Sequence, residues 1–123
     1  MAFTGAGIST SAGIPDFRSG FDTVLETGPG AWEKAANLSK VPNNKVIVKQ
    51  SIQKAIPTDT HMSLVSLMEQ GLLKLLISQN FDGLHRKSGI PPENIAELHG
   101  NTNLEICTKC QREFLRDFRV RNA

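Results

Sequence analysis

The sequence predicts an α/β fold organised around a short parallel sheet, and three stretches carry that prediction. The apolar Met1-Ala2-Phe3 runs into Gly5 and Gly7 and then Ser9-Thr10-Ser11, the order of a strand, a tight turn and the start of a helix. A helix-patterned segment from Thr58 to Gln70 leads into Leu72–Ile77, an almost unbroken apolar run of the kind buried on both faces of a parallel sheet. A third short strand, Asn94–Leu98, follows Pro91-Pro92 and ends in His99-Gly100.

The first turn reads Thr4-Gly5-Ala6-Gly7-Ile8-Ser9. Two glycines let a backbone approach a ligand closely, and the free N–H groups of a following helix favour an anion, so a phosphate-bearing cofactor suits this turn. The spacing departs from the Gly-x-Gly-x-x-Gly fingerprint: Thr10 stands where the third glycine belongs, and Gly13 comes later. A plain strand-to-helix turn needs glycine for its φ angles too. These residues alone leave both readings open.

Residues 19–50 read as a long loop with helical pieces. Ser19-Gly20 and Gly28-Pro29-Gly30 punctuate it, Trp32, Ala35 and Ala36 mark a short helix, and Pro42-Asn43-Asn44 marks a turn before Val46-Ile47-Val48. Loops of that length in compact domains are often lids or binding loops. Thr58 or Asp59 then caps the next helix, which turns His61, Leu64, Val65 and Met68 to one face and stops at Gly71. The Leu72–Ile77 strand ends in the polar Ser78-Gln79-Asn80, at the strand end where open α/β sheets bind ligands. Leu104-Glu105-Ile106, Cys107-Thr108-Lys109-Cys110 and Glu113-Phe114-Leu115 predict a small ribbon closed by the cysteine turn. No internal repeat or low-complexity segment is present.

The 123 residues suffice for one modest domain, and 39% apolar with 21% charged residues suits a globular rather than a disordered chain. A net charge of +2 gives no electrostatic footprint for nucleic acid. The basic end, with Arg112, Arg116, Arg119 and Arg121 partly offset by Glu113 and Asp117, reads as a solvated face. No apolar run approaches the roughly 20 residues of a membrane span, and no secretion signal is legible. Both cysteines lie in one Cys-x-x-Cys, which favours metal or redox use in a reducing compartment over a disulfide framework.

Taken jointly, Gly5-Ala6-Gly7-Ile8-Ser9, Pro15-Asp16-Phe17-Arg18, Gln79-Asn80-Phe81-Asp82, His99-Gly100 and Cys107-x-x-Cys110 resemble the sirtuins, the NAD-dependent protein deacylases. The stretches Ser78–His85 and Leu98–Asn101 look most like the class IV branch, which includes chromatin-associated members. The resemblance implies a partial Rossmann-like parallel sheet over residues 1–100 and the start of a zinc-ribbon module over residues 101–123. It implies that Gly5, Ala6 and Gly7 line NAD, together with the Asp16-Phe17-Arg18 stretch. Arg18 would meet a phosphate or ribose through its fork of donors, and Phe17 would cover the nicotinamide end. Gln79 would bond the ribose, and Asn80 and Asp82 would form the nicotinamide pocket rather than serve folding. Phe81 stands where the family often has an aliphatic residue.

By the same likeness His99 is the catalytic base. In that chemistry the acyl-lysine oxygen attacks the anomeric carbon as nicotinamide leaves, and a base then takes a proton from a ribose hydroxyl. Histidine suits the task because its ordinary pKa is near neutral. His61, on a helix, and His85, in the loop after the nicotinamide motif, are expected to be structural hydrogen-bonders. Cys107 and Cys110 would be half of a structural Zn2+ tetrathiolate.

The implied partners are acyl-lysine proteins, histones among the candidates, in the nucleus or cytoplasm with the nucleus favoured. The resemblance covers about the first half of a catalytic domain, so these residues alone are expected to be inactive. A non-catalytic interaction module and mono-ADP-ribosyl transfer are the alternatives. An ordinary Rossmann oxidoreductase is disfavoured by the missing third glycine. A thioredoxin-like role is disfavoured because that Cys-x-x-Cys normally opens a helix near the chain start.

Overall fold

The structure, a computed structural model, describes residues 1–37 and 54–120. The turn at Pro42-Asn43-Asn44 and the apolar Val46-Ile47-Val48 lie outside them, as does Arg121. A parallel three-stranded sheet is formed by β1 (Ala2–Thr4), β2 (Leu76–Ser78) and β3 (Ile95–Glu97) in the order β1-β2-β3. Ala2 stands opposite Leu76 and Leu76 opposite Ile95, so β2 is central. The expected α/β fold with a parallel sheet is therefore present.

The central strand is shorter and later than the apolar run suggests. Leu72 and Leu73 both donate their amides to the Leu67 carbonyl and close the preceding helix, leaving Leu72 70% exposed. Only Leu76, Ile77 and Ser78 pair in the sheet. Apolar composition cannot distinguish a helix-terminating turn from the strand it feeds.

Among the described residues, the α-helices beside the sheet are α1 (Ala31–Ala36), α2 (Asp59–Glu69) and α3 (Leu84–Ser88). Thr58, not Asp59, caps α2: its hydroxyl accepts from the His61 amide, and the His61 ring accepts from the Thr58 amide, a reciprocal capping box. Such a cap stabilises a helix by about 1 kcal/mol. His61 is buried, and Leu64, Val65 and Met68 are half-buried on the predicted face. Helix α3 places His85 on a buried helical turn rather than in a loop.

The segment after the glycine turn is a 3-10 helix, Ala6–Ala12, ended by Gly13 at φ 82°. The hydroxyl of Thr10 donates to the Gly7 carbonyl at 2.9 Å. Ser and Thr compete for the backbone in this way, which tightens the turn and discourages a long α-helix. Among the described residues, Ala12, Ala55 and Leu84 form one buried cluster with Ile14 against it, and Leu73, Leu76 and Ile90 are buried as well.

Strands β4 (Leu104–Ile106) and β5 (Glu113–Leu115) form the expected antiparallel ribbon, with Glu105 opposite Phe114. Arg86 of α3 reaches Glu113 of β5 at 2.7 Å and ties the ribbon to the sheet. On the ribbon, Arg116 bonds Glu105 and lies 5.0 Å from the Phe114 ring, so this basic side chain is partnered.

Candidate active site

All three parallel strands end on the same side, and each is followed by one of the motifs: the glycine turn after β1, Gln79–Asp82 after β2, and His99-Gly100 after β3. Strand direction alone gathers them at the carboxyl edge, where open α/β sheets bind ligands.

Hydrogen bonds fix the first two motifs to each other. The Asn80 amide donates to the Gly5 carbonyl at 3.0 Å and to Ser9 Oγ at 3.3 Å. Ser9 Oγ donates to Asp82 Oδ2 at 2.7 Å, while Asp82 Oδ1 accepts from the Leu84 amide at 3.0 Å. Asn80 and Asp82 are 8% and 5% exposed, so both build the loop as well as face the site. The expected division between binding and folding does not hold for them: their side chains carry the contacts that shape the loop.

These residues floor a cavity of about 160 Å3. Ser9, Asn80 and Asp82 are its polar floor, with Ala6 at the turn, and Ile14, Pro15, Phe17, Ala31 and Phe81 are its apolar walls. The volume is below the roughly 300 Å3 at the lower end for drug-sized ligands, so it holds one ring rather than a whole dinucleotide. Open space surrounds the position a Cβ on Gly7 would take. A ligand backbone or phosphate can therefore approach that turn closely.

The remaining predicted residues lie around this cavity rather than in it. Gln79 is exposed, its side-chain oxygen 3.9 Å from where a Cβ on Gly5 would stand. Asp16 turns its carboxylate to Ser19, accepting from the amide at 3.1 Å and the hydroxyl at 2.6 Å. Arg18 is exposed and stacks over Trp32 at 5.2 Å. His99 is exposed in the turn after β3. Cys107 and Cys110 sit in the turn of the ribbon, away from the cavity walls.

Two residues escaped the sequence reading. Ser9 links Asn80 to Asp82, and its signal was a hydroxyl just after a glycine turn. Trp32 packs against Phe17 at 5.5 Å between ring centroids while carrying Arg18. The amides of Ala31 and Trp32 donate to the carbonyls of Asp16 and Phe17 at 2.9 and 3.0 Å, seating the Phe17 segment on the start of α1.

Gly30 makes that seat possible. A Cβ there would lie 2.4 Å from the Phe17 carbonyl carbon and 2.5 Å from the Arg18 nitrogen. Gly30→Ala is expected to cost about 1–3 kcal/mol by overpacking and to lift Phe17 off the cavity. A lower melting temperature and a shift in the emission of Trp32, the single tryptophan, report it. Unchanged melting and emission would show that the seat yields freely.

Amide groups of Cys110 and Lys109, with the Cys110 thiol, bond the Cys107 sulfur and lower its pKa below the ordinary thiol value. Among the described residues, no cluster of three His, Cys, Asp or Glu side chains is placed to hold a metal ion. Two thiols are half of the donor set that a structural tetrahedral zinc site needs. No described helix is long and apolar enough to cross a membrane.

The comparisons agree with this geometry. The family model for the Sir2 family matches residues 5–122. The chain is 49% identical over 121 residues to the NAD-dependent protein deacetylase SRT1 of Oryza sativa subsp. indica, covering 98% of this chain and 22% of that protein. It is 45% identical over 124 residues to the human NAD-dependent protein deacetylase sirtuin-7, covering 98% and 27%. Among solved structures, a Sir2–p53 peptide–NAD+ complex matches with TM-score 0.57 and 31% identity over 93% of this chain and 45% of that one. The chain thus spans about a quarter of these two curated relatives. With the match running from the glycine turn through the cysteine pair, the chain belongs to the Sir2 family.

Proposed function

We propose that this chain forms the nicotinamide side of an NAD-dependent protein-lysine deacylase. The observation that carries the reading is the Asn80–Ser9–Asp82 cluster, which joins the loop after β2 to the glycine turn and floors a one-ring cavity. The names of the relatives and the contents of the solved neighbour support it.

NAD supplies the leaving nicotinamide and the ribose carbon that accepts the acyl oxygen. The chain supplies everything that holds and orients it here. Gly5, Ala6 and Gly7 present open backbone, Asn80 and Asp82 present polar atoms to the ring, and Phe17 shields it. Arg18, held over Trp32, and Gln79, beside Gly5, flank the phosphate and ribose side, with Asp16 shaping the turn between them. His99, exposed in the turn after β3, would be the base for a ribose-hydroxyl proton when NAD is bound. Residues 1–100 form the NAD-binding part and residues 101–123 open a zinc module, in which Cys107 and Cys110 are two thiolate ligands. The class IV likeness supports nuclear acyl-lysine substrates, histones among them.

The test is a chimera in which residues 1–123 replace the matching stretch of the rice relative. Nicotinamide release that needs both NAD and an acetyl-lysine peptide is the expected result. A folded chimera that binds NAD and releases none would overturn the reading.

A further inference from the structure

Two buried histidines have no part in the proposed reaction, yet they grip the site from two directions. His61 is fully buried and His85 is 2% exposed, and their ring centroids are 4.7 Å apart at a tilt of 54°. His85 Nε2 lies 2.9 Å from Thr4 Oγ1, at the end of β1 and one residue before Gly5. His61 Nδ1 accepts from the Thr58 amide at 3.2 Å, and Thr58 Oγ1 donates to the Ile8 carbonyl at 3.1 Å. One ring thus holds the chain entering the glycine turn, and the other holds the residue that anchors the chain leaving it.

His61 Nδ1 accepts from the Thr58 amide, so the hydrogen of its neutral ring is on Nε2. His85 Nε2 and the Thr4 hydroxyl bond at 2.9 Å with either group as donor. The ring atoms left without a partner are His61 Nε2 and His85 Nδ1. A proton added to His85 would place a charge beside the His61 ring in a buried space.

We propose that His61 and His85 are a neutral, buried positioning pair that fixes the Gly5–Ile8 turn relative to the Asp82 loop, and that charging the pair releases the turn. Its bearing on cofactor binding rests on the reading of that turn as the dinucleotide site.

The surroundings favour the neutral state. Burial lowers the pKa of His61, and Asp82 opposes it. Burial, then the neighbouring His61, lowers His85 to about 4, again against Asp82. Asp82 is the carboxylate acting on both rings, while Thr4 from β1 and Thr58 ahead of α2 face them with uncharged hydroxyls. An unfolded histidine titrates near 6.5. The folded pair therefore contributes its full stability above that pH, and loses it as pH falls from there through about 4.

The test uses this chain, labelled with 15N and followed by NMR from pH 7 downward. Both rings are expected to be neutral at pH 7, with His61 in the Nε2–H form. The amide signals of Gly5, Ala6, Gly7 and Ile8 are expected to move with the midpoint of His85. His85→Gln, whose amide can still donate to Thr4, should keep the pH 7 signals and lose the acid transition; His85→Phe should displace the turn signals already at pH 7. A His85 that titrates at the ordinary histidine value of about 6.5, or turn signals that ignore its titration, would overturn the proposal. NAD added across the same range should bind about tenfold more weakly once the pair is charged. Turn signals that follow the pair while NAD binds at no pH would sustain the positioning role and count against the dinucleotide site.

Discussion

Replacing His99 with alanine in the chimera is expected to slow deacylation by about two orders of magnitude, the usual scale for a general acid–base group. The affinity for NAD should hardly change. His99 is exposed, follows β3 directly and has no hydrogen-bond partner among the described residues, so its loss removes no support from the fold. The turn around it is held by the backbone instead: the Gly100 amide donates to the Glu97 carbonyl at 3.1 Å, and Gly100 sits at φ 73°. A structural histidine would show the opposite pattern, with lost melting temperature and preserved turnover per folded molecule. Near-normal turnover in the folded variant would remove His99 from the reaction.

Asp82→Ala is expected to damage binding and stability together. The substitution leaves the Ser9 hydroxyl and the Leu84 amide without their acceptor in a buried place. Stranded groups of this kind cost about 1–3 kcal/mol, which corresponds to a melting temperature lower by several degrees. Nicotinamide inhibition should weaken at the same time, because the cavity floor loses one of its three polar side chains. Ser9→Ala separates the two effects, since it removes one donor to Asp82 and leaves the Leu84 bond intact. If Asp82→Ala melts with the parent protein, the loop does not depend on its carboxylate. Unchanged nicotinamide inhibition would take Asp82 out of the pocket.

The parts of this molecule legible in the sequence are those governed by local rules. Thr58 and Gly71 bracket a helix whose capping needs only nearby residues, and the ribbon closed by Cys107 and Cys110 needs only short-range pairing. The carboxyl-edge placement of Gly5, Asn80 and His99 was legible from strand direction alone. What stayed hidden depends on partners far along the chain. Ser9 became a site residue only when Asp82 arrived beside it, and His85 looked like a loop residue until Thr4 and His61 enclosed it. The start of the central strand was misplaced because Leu72 and Leu73 are as apolar as Leu76, while their amides bond backwards to Leu67. Steric facts were equally invisible: nothing in Gly28-Pro29-Gly30 says that the third residue lies against the Phe17 backbone.

The sheet order also sets a sequence of assembly. β2 and β3 are joined by a short connection through α3, whereas the contact between Ser9 and Asp82 spans 73 residues. Closing the longer loop costs more chain entropy, and contacts of high sequence separation form late. β2, α3 and β3 can collapse as a local unit, on which β1 and its glycine turn dock afterwards. Both halves of the cavity therefore meet at the seam expected to form last. The β2–α3–β3 unit is expected to form before the Ser9–Asp82 contact closes the cavity, and a ligand held there would act on folding chiefly by keeping that last seam shut.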